Sequence, residues 1–75
     1  MKFERIAIDP KIMTGKPCIK GTRITVELIL ERLGEGASIE WLLNGYPHIT
    51  KDDVLEAIRY AKAVVSLQEI EEAVA

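Results

Sequence analysis

Cysteine and histidine are nearly absent from this sequence, because Cys18 and His48 are the single residues of their types among 75. One cysteine excludes an intrachain disulfide, and two isolated ligands are too few for a structural zinc site. A chain of this length buries only about 60% of its unfolded surface, and small domains without disulfides or metals are often stabilised by association. The sequence therefore predicts a homodimer or a complex with another protein, and no metal or cofactor.

Long apolar runs are also absent. No stretch approaches the ~20 consecutive apolar residues that span a bilayer. The charged beginning, Met1–Arg5, is not followed by the apolar region of a secretory signal. The scarcity of cysteine is typical of reducing compartments. We therefore expect a soluble cytoplasmic protein with no membrane partner, folded as one domain over residues 1–75.

Charge is divided unevenly along the chain. Residues 1–25 contain six basic and two acidic residues, a net charge of +4, whereas residues 26–75 contain four basic and ten acidic residues, a net charge of -6. Such a division can steer an anionic partner to one end of a molecule. The alternative interpretation is a solvated surface whose charges are distributed by chance.

The N-terminal segment, residues 1–25, contains short β-prone runs separated by residues that favour turns. Residues 5–8, 18–19 and 22–24 are rich in isoleucine and threonine. Gly21 permits a tight bend between the last two runs, compatible with a hairpin or with a wider bend. Short strands are marginally stable alone, so this element is expected to pack on helices or on a second copy.

Two patterns with apolar residues at i, i+3, i+4 and i+7, and a third at i, i+4, i+7 and i+11, predict short helices within residues 26–65. Thr25, Ser38 and Thr50 precede them as predicted N-caps. Residues 50–53 resemble a capping box with aspartate in the last position. The connection before the third helix is longer than the turn of a helix-turn-helix motif. The sequence thus predicts an α+β fold, mainly α, with a short N-terminal β element and a helix-turn-helix-like three-helix unit.

The third helix contains apolar residues on two faces. Val54, Ile58, Ala61 and Val65 form the predicted inner stripe, whereas the apolar residues of the helical tail, residues 66–75, point toward Tyr60. Either the helix bends near residue 66, or a second apolar face binds another protein; a frayed terminus is the alternative. The predicted protein interface comprises Trp41, Tyr60, Leu67, Ile70 and Val74.

No catalytic arrangement is apparent. Cys18 and His48 are predicted to lie in separate elements, so they do not form a nucleophile–base pair. The carboxylates of Asp52, Asp53 and Glu56 lie in the first turns of a helix, where the dipole and the cap favour them. The sequence therefore predicts no enzyme and no catalytic or metal-binding residue.

Nucleic-acid binding has mixed support. Three short helices are typical of DNA-binding domains, but an acidic third helix is poorly suited to a phosphate-lined groove. The predicted DNA contacts are Lys11, Lys16, Lys20 and Arg23, with Lys51, Arg59 and Lys62 as weaker candidates. Alternatively, lysines on an exposed strand edge serve to prevent aggregation.

One set of residues resembles a known family. The set is Arg5-Ile6, Asp9-Pro10, Gly15–Ile24, Glu35-Gly36 and Tyr46-Pro47 before Thr50. It resembles the domain-of-unknown-function family number 433 over about residues 4–65. The resemblance implies a small bacterial or archaeal protein with a homeodomain-like three-helix unit, and it supplies no catalytic residues.

The same resemblance implies an antitoxin-like regulator, because members are often encoded beside a PIN-like ribonuclease. Such a protein would bind the ribonuclease toxin and operator DNA, with residues 66–75 as a toxin-binding extension. The alternative is a protein–protein interaction module, for dimerisation or as an adaptor, that does not bind DNA. The acidic third helix favours this alternative.

Overall fold

The structure is a computed structural model, which describes the backbone of residues 3–74 and the side chains of residues 3–67. The elements in chain order are β1 (Ile6–Ala7), a 3₁₀ turn (Met13–Gly15), β2 (Cys18–Ile19), α1 (Val26–Gly34), α2 (Ile39–Gly45) and α3 (Lys51–Val74). The predicted α+β fold, mainly α, with a short β element before three helices, is confirmed.

The β element is a small antiparallel sheet in which Ile6 pairs with Ile19 and Ala7 pairs with Cys18. The other edge of β2 is also hydrogen-bonded, because Cys18 forms a bridge with Thr25. Between Cys18 and Thr25 the chain reverses in a tight turn, in which the N–H of residue 22 donates to the carbonyl of residue 19 over 3.0 Å. Gly21 adopts a φ of 81°, which explains the glycine at this position.

Each helix begins at its predicted N-cap. The hydroxyls of Thr25 and Ser38 accept hydrogen bonds from the backbone N–H three residues later, over 2.9 Å and 3.0 Å. The capping box of α3 is reciprocal: Thr50 Oγ1 accepts from the N–H of Asp53 over 3.2 Å, and Asp53 Oδ2 accepts from the N–H of Thr50 over 2.8 Å. These local predictions are confirmed because the caps depend on neighbouring residues only.

Helix α1 ends in a Schellman motif around Gly36, whose φ is 101°. The N–H of Gly36 donates to the carbonyl of Leu33, and the N–H of Ala37 donates to that of Arg32, both over 3.0 Å. Gly34 lies inside the helix, so Gly36 supplies the left-handed residue of the stop.

The core lies where the three helices meet over β2. Ile29 of α1, Leu42 of α2, and Val54 and Ala57 of α3 are fully buried, and Ile19 of β2 packs against them. Among the described side chains of α3, the buried ones lie in its first two turns. This arrangement leaves the later turns of α3 available to form a surface.

The predicted inner stripe of α3 is correct at Val54 and wrong at Ile58 and Val65, which are 37% and 57% exposed. Helices α1 and α2 have nine and seven residues, whereas α3 has 24. At about 1.5 Å per residue, the shorter helices cannot cover the full length of the longer one. The stripe therefore continues beyond the core into solvent.

Candidate functional site

An apolar groove of about 270 Å³ runs along the surface between α1 and α3. Its lining residues are Pro17, Val26, Glu27, Leu30, Tyr60, Ala61, Val64 and Val65. Glu27 is the one charged residue of this lining, and its carboxylate is paired with Lys16 Nζ over 2.9 Å. The groove therefore offers an almost wholly apolar surface with one neutralised charge.

The exposed apolar residues of α3 lie beside and beyond the groove. Val64 is 38% exposed, and Leu67 is 83% exposed. Neither the groove nor Val64 was predicted from the sequence, since the wall formed by Pro17 and Leu30 depends on how distant segments pack. The adjacent valines at 64 and 65 were the one local signal that α3 has a broader apolar face than a single stripe.

The residues of the predicted protein interface have different environments. Leu67 and Trp41 are exposed, and Trp41 keeps 52% of its surface accessible on α2. Tyr60 lines the groove, but its ring also packs edge-to-face on Phe3, with ring centroids 5.3 Å apart. Ile70 and Val74 lie outside the residues whose side chains are described.

The predicted DNA contacts of the N-terminal segment do not form one patch. Lys16 and Arg23 line a depression that also contains Glu27 and Glu31, whereas Lys20 lines a different one beside Glu4. Lys16 is ion-paired. Among the described side chains, the exposed cations Lys11, Lys20 and Arg23 make no ion pair.

The weaker DNA candidates lie on α3. Arg59 Nη2 is 3.9 Å from Glu56 Oε1, and Arg59 and Lys62 line a shallow depression with Ile58 and Ala63. Lys51 is exposed at the start of the helix. The basic residues of α3 therefore lie at two separate places along its length.

The acidic residues at the start of α3 hold β1 onto this helix. Arg5 Nη1 binds Asp53 Oδ1 over 3.1 Å, Arg5 Nη2 lies 3.8 Å from Asp52 Oδ2, and the backbone N–H of Arg5 donates to Glu56. The hydrogen bond to Asp53 raises the pKa of the Arg5 guanidinium, against the opposing effect of desolvation. These carboxylates therefore have a structural role, as the helix-cap interpretation predicted.

Within the described part of the chain, no group of three or more histidine, cysteine, aspartate or glutamate side chains could hold a metal ion. No helix over the same residues is both long and apolar enough to cross a membrane.

Cys18 is 3% exposed, and its thiol donates to the carbonyl of Lys16 over 3.3 Å. Burial raises the pKa of this thiol, and the nearby charge of Arg23 lowers it by less. The folded chain therefore keeps the Cys18 proton at a pH where the unfolded chain has lost it.

We predict that the stability advantage of wild type over Cys18→Ala narrows as the pH rises above the ordinary thiol pKa of about 8.5. A pKa that is raised in the folded state contributes stability below the unfolded value and loses that contribution at higher pH. Urea unfolding of both proteins at pH 7 to 10 measures this, since their other titrating groups are shared. A constant difference across this range would contradict the prediction.

Comparison with known proteins relates the chain to one family. The family described as "Protein of unknown function (DUF433)" matches residues 6–61. The crystal structure of a DUF433 member from Anabaena variabilis is similar, with a TM-score of 0.79 and 30% sequence identity, over 92% of this chain and 68% of that one. An uncharacterized protein of Archaeoglobus fulgidus is 62% identical over 25 residues, which cover 33% of this chain and 69% of the archaeal protein.

Proposed function

The chain belongs to the DUF433 family, and from this premise we propose that it is an antitoxin-like regulatory protein of a prokaryotic toxin–antitoxin pair. Its main activity in this proposal is to bind other proteins through α3. A nuclease toxin is the proposed partner, as the family resemblance implies. Operator DNA is a second proposed partner.

The observation that carries the proposal is the exposed apolar face of α3. Val64, Val65 and Leu67 project beyond the part of the helix that the core covers. Fully burying an exposed side chain of this size contributes about 1.5–3 kcal/mol. Leu67 is 83% exposed and Val64 only 38%, so a partner gains most from covering Leu67, before the cost of association.

Charge indicates the chemistry of the protein partner. The helical part of the chain, residues 26–75, has a net charge of -6. A basic surface is complementary to it and is attracted over long distances. The RNA-binding surface of a ribonuclease has this chemistry, and an antitoxin that covers it would block access of RNA.

The experiment is a binding measurement between the tagged full chain and the purified product of the adjacent gene. We predict that Leu67→Glu weakens binding at least tenfold, because it places a charge on the most exposed apolar residue of α3. Ile8→Glu is the matched control, since Ile8 is 60% exposed and does not line the apolar groove. No binding by wild type, or equal binding by Leu67→Glu, would overturn the proposal.

If the chain also binds operator DNA, the exposed cations Lys11, Lys20 and Arg23 of two copies in a dimer would supply up to six phosphate contacts. Six phosphate contacts predict that log affinity falls with log salt with a slope of roughly -5. A mobility-shift assay with promoter-proximal DNA at several salt concentrations measures it. No retardation at low salt leaves the protein-interaction module without DNA binding as the function.

A further inference from the structure

We infer that α3 has a second binding site, on roughly the opposite side of the helix from the apolar groove, for an acidic amphipathic helix of another protein. The site is a shallow depression of about 360 Å³ lined by Ile58, Arg59, Lys62 and Ala63. It shares no lining residue with the groove between α1 and α3. The inference goes beyond the proposed toxin binding and does not depend on it.

The charge of this face is the reverse of the charge around it. Residues 26–75 contain four basic and ten acidic residues. At about 100° per residue, three of the four basic residues, Lys51, Arg59 and Lys62, lie within a sector of about 80° on α3. Over residues 51–67, this sector contains no acidic residue. It is therefore a local basic surface on an otherwise acidic part of the chain, and it attracts a partner segment of negative charge.

Both cations of the depression are available to a partner. Lys62 is exposed, and it makes no ion pair among the described side chains. The Arg59 side chain is 58% exposed, and its Nη2 lies 3.9 Å from Glu56 Oε1, which is beyond hydrogen-bond distance. Glu56 also accepts a hydrogen bond from the backbone N–H of Arg5. The guanidinium of Arg59 therefore keeps donors for a carboxylate of another protein.

The shape of the depression suits a helix. Residues 58 and 62, like residues 59 and 63, are four positions apart, so they form two neighbouring rows along α3. Ala63 is small and leaves a gap between the longer side chains. A row of side chains on a second helix packs into a groove between two such rows, which is the commonest packing of helices in globular proteins. Ile58 is 37% exposed, so an apolar row also removes it from water.

A nucleic acid matches this site less well. Phosphate groups would pair with Arg59 and Lys62, but they would gain nothing from the apolar surface of Ile58. A membrane surface requires a wide apolar face, and this depression has only two apolar lining residues. An acidic amphipathic helix uses both properties, because its carboxylates pair with the cations and its apolar row covers Ile58.

A synthetic peptide tests this occupant. The probe is a fluorescently labelled helical peptide of about 15 residues, with leucines in one row and glutamates on both sides of that row. Fluorescence anisotropy at low salt should show binding to wild type, and Lys62→Glu should weaken it at least tenfold. Lys20→Glu should bind as wild type does. It is the matched control, because it makes the same charge change at an exposed residue that lines a different depression.

Ile58→Gln separates the apolar contribution from the charge. It should weaken peptide binding at least threefold, whereas it should not weaken any binding of a DNA duplex. The same peptide with lysine in place of every glutamate should not bind. Ile58 and Lys62 are both exposed, so the variants should fold, which circular dichroism verifies.

Amide chemical shifts locate the bound peptide. The largest changes on titration should fall on residues 58–63 and not on Leu30, which lines the groove. Changes centred on Leu30 would place the peptide in the groove and overturn the inference.

Three binding results would also overturn the inference. The first is no binding of the glutamate peptide by wild type at ~100 µM protein. The second is equal weakening by Lys62→Glu and Lys20→Glu, which would mean that only total charge matters. The third is a DNA duplex that displaces the peptide while Ile58→Gln has no effect, which would assign the site to nucleic acid. None of these results bears on toxin binding through Leu67, which is tested with a different partner and variant.

Discussion

Leu42→Ala is expected to lose about 2–5 kcal/mol of unfolding free energy, the range for a large core residue cut to alanine. Leu42 is fully buried, and it joins α2 to Ile29 of α1 and Val54 of α3. Stability of roughly 0.05–0.15 kcal/mol per residue gives a chain of this length about 4–11 kcal/mol in total. The loss is therefore a large share of the total unfolding free energy.

Urea denaturation at one fixed protein concentration measures this loss. Trp41→Ala is the matched control, because it removes a larger side chain from the adjacent position of α2, where half of the surface is exposed. We expect the control to lose less than Leu42→Ala, because half of the Trp41 surface is already in water and no closed cavity is left behind. Equal losses of unfolding free energy from the two variants would contradict the expectation that α2 is held mainly by the core.

Asp53→Ala is expected to lose about 2–3 kcal/mol, because two charge-assisted hydrogen bonds disappear together. The Asp53 carboxylate accepts from the N–H of Thr50 over 2.8 Å and from Arg5 over 3.1 Å. Its side chain is 12% exposed, whereas that of Arg5 is 45% exposed, so solvent screens part of the ion pair. The cap bond is screened less and contributes more of the loss.

Asp52→Ala is the control for Asp53→Ala, because it removes the same charge from the next residue of α3. The Asp52 side chain is 71% exposed and lies 3.8 Å from the Arg5 guanidinium. An exposed pair of this kind contributes about 0–1 kcal/mol. Thermal or urea unfolding of both variants measures the contrast, and similar losses would mean that total charge, not the bonds of Asp53, stabilises the start of α3.

The sequence allowed the helix starts to be predicted because a cap is a local structure. Thr25, Ser38 and Thr50 each bond to a residue three positions later, and residues this close in the chain are always neighbours. The turn at Gly21 was left open between two shapes, and the structure selects the tight one through hydrogen bonds on both sides of β2.

The same local reasoning could not predict contacts between segments that are far apart in the sequence. Arg5 and Asp53 are 48 residues apart, and no local pattern indicates that the basic residue before β1 meets the cap of α3. Lys16, a predicted DNA contact, is likewise paired with Glu27, which leaves its charge less available to a phosphate group. This pairing depends on how the segment before α1 packs against that helix. The relative positions of candidate binding residues on separate elements therefore could not be predicted without the three-dimensional structure.

Asp53 is bonded at the N-terminal end of α3, so a small change at this end can tilt the rest of the helix. The Asp53 carboxylate accepts the cap hydrogen bond from Thr50 and also binds Arg5, the residue before β1. Residue 67 lies 14 positions farther along, roughly 21 Å away, so a tilt of about 5° at the base would swing Leu67 by about 2 Å. A substitution at Arg5 would thus shift the position of Leu67 without contacting that residue.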